Sequence, residues 1–281
     1  AATSPNDDGA NVWLDGGFRI HLGDSVLLQP VARDPIADPW RRLDDPSYDQ
    51  DSAVGMVDVP GGPRFVLDCF YADDPPVGEP WESFITRRVV TGSAPSLAWG
   101  PRELVLSNER PNTGRPDDQL PWVIDPHAFW DAETGRLWMA WGGHDLYVTE
   151  LDPGTGRAID EHGELVDPDL SGFDPDVLDD PVHTMVVREL PEDELDDPWR
   201  RSTYQEGPAI FRHGGFFYYF ATYGHLAYDY TIRVGRSTTP RGPYLDRAGT
   251  PLLAGGGTVL LGADTEQLVP GHPHLWEESG V

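Results

Sequence analysis

The sequence predicts an all-β protein, a propeller of small antiparallel sheets. Three observations lead there. Runs of about four to eight bulky residues alternate with Gly and Pro turn signals along most of the 281-residue chain. Residues 204–257 hold three or four such runs joined by hairpins, in about fifty residues, the size of one propeller blade. The stretch from Trp122 repeats the same pattern, with an acid beside Pro or Gly-Pro, a strand, a Gly hairpin and an aromatic strand.

Taken in order, residues 1–50 carry two candidate strands, at 11–20 and 24–31, then a loop full of Asp-Pro turns; they read as the remnant of a first blade. Residues 54–110 form the second blade, with strands at 54–59, 64–71, 84–92 and 103–106. Turn signals separate them at Pro60-Gly61-Gly62-Pro63 and Asp73-Asp74-Pro75-Pro76. Residues 122–160 form the third, with hairpins at Ala132-Glu133-Thr134-Gly135 and Gly142-Gly143. An acidic, Pro-punctuated insertion over 161–202 holds one strand, at 183–190. Residues 203–257 are the fourth blade, and 258–281 are expected to begin a fifth. All of this reads as a single domain, 1–281, with both terminal blades incomplete.

Bulk charge removes several classes of function. The chain carries 48 acidic residues against 20 basic ones, a formal net charge of -28, and every basic residue is arginine. No basic face is left to neutralise nucleic-acid phosphates or anionic lipid. A hydrated, like-charged surface suits a salt-adapted source. A GC-rich genome accounts for missing lysine but not for so many acids. The single cysteine, Cys69 in the run FVLDCFYA, excludes an internal disulfide and reads as a small core hydrophobe. No apolar run is long enough to span a membrane.

Innermost propeller strands start near the axis, so acids opening successive blades converge there. Carboxylates meeting at a pocket are the equipment for glycoside hydrolysis: one protonated to assist the leaving oxygen, another ionised to activate water. Glu206, between aromatic and Gly-Pro segments, is the candidate general acid, its pKa raised by burial and a negative neighbour. Asp125 is the candidate neighbour. Its competing reading is a turn starter, because Asp-Pro also occurs at Asp34, Asp38, Asp45, Asp74, Asp152, Asp167, Asp174, Asp180 and Asp197.

Five stretches, VIDPHAFWDAETGRLWMAWGG, LDPGTG, EGPAIFRHGGFFYYFATYG, YTIRVGRSTTPRGPYLDRAGTPLLAGGG and PGH, resemble in order glycoside hydrolase family 43, and its endo-arabinanase branch above all. The resemblance spans most of residues 122–274. It implies a five-bladed β-propeller that cleaves α-1,5-linked arabinan with inversion. It also assigns roles: Glu206 of the EGP motif as general acid, Asp125 of the IDP motif as the group that tunes and orients it. His272 of the PGH motif would help hold an axial calcium or similar ion, often through water. From the residues alone, His274 is an equal candidate for that ligand.

The family's general base, an Asp in a His-Asp-Pro-like motif opening the first blade, has no match near Ala1. Arg33-Asp34-Pro35 is superficially similar but lacks the aromatic strand that should follow, so Asp34 is a weak candidate. Two rival readings follow: a xylosidase, arabinofuranosidase or fructan hydrolase on the same scaffold, and a degenerate, carbohydrate-binding propeller without a base. Arg233 and Arg236 read as partners for carboxylates rather than sugar contacts. Trp99, Trp122, Phe129 and Trp141 read mainly as blade packing. The partner is a plant-type polysaccharide or oligosaccharide. The protein is expected to be a secreted monomer, with the cytoplasm of a high-salt organism as the other location.

Overall fold

The computed structural model describes residues 17–22, 25–30, 48–49, 55–72, 77–93, 96–114, 121–178, 180–190, 204–224, 229–262 and 270–275. Over these residues the chain is all-β, with sixteen strands and one short 3-10 turn at Leu252–Ala254. Two strands, β1 (Gly17–Leu22) and β2 (Ser25–Pro30), form an antiparallel hairpin of their own.

The next sheet has six strands: β3 (Tyr48–Asp49), β4 (Gly55–Asp58), β5 (Arg64–Ala72), β6 (Pro80–Ser93), β7 (Ser96–Trp99) and β8 (Glu103–Pro111). The 14-residue β6 organises it. Its first half pairs with β8, its last residues pair with β7, and β5 lies along its other edge. β4 corresponds to the strand expected at 54–59. β7 is an addition, paired antiparallel with the last residues of β6.

A four-stranded sheet follows, in the order β9 (His127–Asp131), β10 (Arg136–Trp141), β11 (Leu146–Leu151) and β12 (His183–Val187). The strand expected inside the acidic insertion is therefore the outer strand of this sheet, paired with β11. The last sheet runs β13 (Gln205–His213), β14 (Phe216–Tyr223), β15 (Thr231–Ser237) and β16 (Thr258–Leu261). The expected start of a fifth blade at residue 258 is corrected here: β16 hydrogen-bonds β15 and completes the sheet that holds Glu206.

The side-chain period of two decides how the sheets stack. On β10, Leu137, Met139 and Trp141 face the core shared with the six-stranded sheet, while Trp138 and Ala140 face the core shared with the last sheet. β11 divides in the same way, Tyr147 and Leu151 against Leu146 and Val148. The β9–β12 sheet is thus sandwiched, and both faces of its central strands are apolar because both are buried. Cys69 is fully buried in the first core, as its apolar surroundings predict.

Polar bonds fasten these faces together. Arg212 on β13 donates from one nitrogen to both oxygens of Asp131 on β9, at 2.8 Å each. The Tyr219 hydroxyl donates to the Tyr147 carbonyl across the same interface, at 3.1 Å. Trp141 donates through its indole N–H to Thr149 Oγ1, which in turn bonds His183 Nδ1 at 2.9 Å. A neutral imidazole suits that chain, and burial lowers the His183 pKa to about 4. Arg233 is buried with its guanidinium over the Tyr223 ring, and Arg236 lies over Phe216. Both guanidinium groups thus lie on aromatic faces.

Candidate active site

Asp125 sits in the irregular segment between Trp122 and β9. It is 2% exposed and holds a left-handed backbone, φ 51°. Its neighbours fix that segment from two sides. Val123 N–H donates to Ser83 Oγ at 3.0 Å, Asp125 N–H points at Cys69 Sγ at 3.4 Å, and Ile124 C=O accepts from Gly142 N–H at 2.9 Å. Pro126 follows and supplies no N–H of its own, so the chain leaves this knot directly into β9. The Asp125 motif is therefore no surface turn.

Its carboxylate faces the start of the last sheet. Oδ2 accepts the Gly207 N–H at 2.8 Å and lies 3.1 Å from His272 Nε2. Oδ1 is buried with no hydrogen-bond partner among the described residues. Glu206, half-buried, opens β13 opposite Thr222, immediately before the residue that Asp125 grips. A bulge between Glu206 and Ala209 breaks the ladder there.

Gly207 is required at that bulge. Its φ is +54°, and a Cβ would lie 2.8 Å from His272 Cδ2. Gly271 is required for the same approach from the other side, since a Cβ would lie 2.1 Å from the Tyr230 ring. The His272 N–H then donates to Thr222 Oγ1 at 2.9 Å, and φ is 50° at His272. The EGP motif meets the PGH motif because Gly207 makes room for His272, while Gly271 lets the PGH loop lie against Tyr230 and Thr222.

The structure therefore brings Asp125, the Glu206 segment and His272 together from three separate parts of the chain. His274, the other candidate ligand, packs its ring edgewise on His127, with centroids 5.6 Å apart. His127 is buried, and desolvation, with His274 nearby, lowers its pKa to about 3. Its Nδ1 accepts the Ile210 N–H at 3.4 Å, so Nε2 carries the proton and takes no cation. Asp34 lies outside the described residues. Among the described residues there is no group of three or more His, Cys, Asp or Glu able to hold a metal ion.

One cluster beside the acids went unassigned in the sequence. Trp122, His144 and Tyr204 pack edge to face, with centroids 5.2 Å apart for Trp122–His144 and 4.7 Å for His144–Tyr204. Trp122 packs, partly buried, against the first core, and Trp141 lies wholly inside it. His144 follows the Gly142-Gly143 turn, a position that gives no sign of proximity to Glu206. Its N–H on the Gln205 carbonyl, at 2.8 Å, and its ring on Tyr204 bring the two strand openings together.

With this geometry in hand, comparison with known proteins decides the family. The profile of Glycosyl hydrolases family 43 matches residues 112–280, more than half of the chain and all of the site just described. The chain belongs to that family. The family 43 match is supported by curated relatives. The probable arabinan endo-1,5-alpha-L-arabinosidase B of Aspergillus oryzae is 32% identical over 104 residues, 32% of this chain and 30% of the relative. The extracellular exo-alpha-(1->5)-L-arabinofuranosidase of Cellvibrio japonicus is 34% identical over 89 residues, 30% of this chain and 26% of the relative. The chain thus matches less than a third of the length of these relatives. Among solved structures, the Cellvibrio cellulosa alpha-L-arabinanase superposes with a TM-score of 0.62 at 20% identity, over 96% of this chain and 85% of that one. The family 43 endo-arabinanase of Bacillus licheniformis gives a TM-score of 0.54 at 20% identity, over 79% and 63%. At these identities the structural likeness establishes the fold.

Proposed function

We propose that this family 43 member is a glycoside hydrolase acting on α-1,5-linked arabinan, on a five-bladed propeller. The observation that carries the reading is the bond from Gly207 N–H to Asp125 Oδ2. It ties the two acids that the motifs single out into one site, within the region matched by the family. The arabinan-acting names of the relatives support the substrate class.

The proposed reaction is a single displacement. The Glu206 carboxyl gives its proton to the glycosidic oxygen as the bond from that oxygen to the anomeric carbon breaks. A water attacks the opposite face of the carbon and loses its proton to a second carboxylate, so configuration inverts. Asp34 is the first candidate for that base. A carboxylate at Asp125, beside Glu206, favours the protonated, proton-donating form of Glu206. Gly207 N–H and His272 hold Asp125 in place for that task.

The axial calcium remains part of the proposal, with His272 contributing through water. A lone imidazole already on Asp125 is no ligand set for a hard cation that takes six to eight oxygens, so the described residues do not build the cage directly. The reaction as written does not depend on the ion. Secretion and salt adaptation belong to the same proposal, supported by an extracellular relative and by the net charge of -28.

The deciding experiment is reducing-sugar release from linear arabinan, with xylan and levan beside it, in molar KCl. Activity on arabinan that Glu206→Gln loses is the expected result. Cleavage of xylan or levan alone would move the substrate class, and a folded protein inert on all three would leave a binding propeller.

A further inference from the structure

Tyr204 lies two residues before Glu206 and is held at both ends. Its carbonyl accepts the Gly224 N–H at 2.9 Å. Its ring stands perpendicular to His144, at 4.7 Å and 89°, and nearly so to Trp122, at 6.2 Å and 84°. His144 cannot swing away, because Nδ1 is 2.7 Å from Glu189 Oε2 and its N–H is on the Gln205 carbonyl. Trp122 is backed in turn by Tyr71, 5.6 Å away. At the far end of the ring, the phenol hydrogen-bonds the Glu206 side chain.

We infer that Tyr204 is the positioning residue of the proton donor: its O–H donates to one carboxyl oxygen of Glu206 and leaves the second oxygen to carry the transferable proton. This rests on Glu206 being the general acid. Among the described residues, Glu206, Asp125 and Tyr71 act electrostatically on the phenol. Burial first, and then the two carboxylates, hold its proton far above the ordinary phenol range, so it remains a donor at every working pH. During the reaction Glu206 changes from a neutral acid to a carboxylate, and a hydrogen bond to a carboxylate is about twice as strong as one to a neutral group. The bond therefore strengthens toward the transition state, where it accelerates the step, rather than in the ground state. The phenol keeps its own proton throughout; only the Glu206 proton moves to the leaving oxygen. Asp125 and Tyr204 then act in opposite senses on the same group, one favouring its protonated form and the other its ionised form.

Tyr204→Phe keeps the ring and its contacts and removes the O–H alone. The first readout is the Glu206 carboxyl titration followed by 13C NMR, assigned by its disappearance in Glu206→Gln. Loss of a donor to the carboxylate should move that titration up by about one unit. The second readout is hydrolysis. kcat on linear arabinan should fall about tenfold with KM little changed, and the loss should shrink on aryl arabino-oligosaccharides whose nitrophenol leaves without protonation. An unmoved Glu206 titration in a variant that melts like the parent overturns the inference, whatever the activity. A parent inactive on arabinan would instead overturn the substrate reading, while the titration still decides the role of Tyr204.

Discussion

The β9–β12 and β13–β16 sheets open on the same pattern, an acid beside Pro or Gly-Pro, yet they treat that acid in opposite ways. Asp125 is 2% exposed and knotted to Cys69, Gly207 and His272. Glu206 is half-buried at a bulge, with a phenol at its side chain. The sheets differ likewise. β10 buries both faces, whereas β14 buries Phe217, Tyr219, Ala221 and Tyr223 and leaves Phe216, Tyr218 and Phe220 half-buried. A doubly covered sheet presents a rigid, desolvated acid, which suits a fixed charge. A bulged strand opening presents one that can meet solvent and substrate. Both are carboxylates; environment divides the roles proposed for them.

The sharpest way to break the comparison is to neutralise each acid. Glu206→Gln should lower kcat/KM on arabinan about a thousandfold with Tm unchanged, since a half-exposed amide costs the fold little. Asp125→Asn should lower it less, about a hundredfold, yet also lower Tm, because that side chain belongs to a buried knot. Equal effects of the two on activity and on melting would remove the distinction between them.

The interface between the two sheets can be cut separately. Arg212→Ala leaves the nearly buried Asp131 carboxylate without its cation, held among the described residues only by Thr134 Oγ1 and the Glu133 N–H, and should cost about 3 kcal/mol in urea unfolding at pH 7. Gly207→Ala should cost less, about 1–2 kcal/mol, through the left-handed backbone and the collision with His272, and should reduce activity by displacing Asp125.

The smallest effect sharpens the contrast through pH. His127 and His183, both of the β9–β12 sheet, are buried and lowered to about 3 and about 4. Between those values and the unfolded 6.5, the unfolded chain binds the extra protons. Their contribution is therefore complete above pH 6.5 and is lost as the pH falls toward 4. Asp145 has the opposite sign. Burial raises it to about 6, so its ionisation costs stability above that pH and the cost is relieved on acidification. Melting from pH 7 to 4 should show Tm falling, and Asp145→Asn should raise Tm at pH 7 but not at pH 4.

The sequence alone determined the all-β class, most strand positions, the pairing of Asp125 with Glu206 and the motif that carries His272. Those are local properties: alternation, turn chemistry and short motifs act within a few residues, and a motif match needs no coordinates. Other features depended on contacts between residues far apart in the chain. The acidic insertion does not show that its strand closes the β9–β12 sheet, because pairing with β11 is set by register across a long loop. Nor does residue 258 show that β16 belongs with β15. The IDP motif marks Asp125 among the Asp-Pro turns, but only the fold shows that it is buried and accepts the Gly207 N–H across the sheets. Tyr204 and His144, sixty residues apart on two strand openings, meet only in the fold. Tertiary structure decided these because burial and hydrogen-bond partners, which turn an ordinary carboxylate or phenol into a functional one, come from the neighbours that folding supplies.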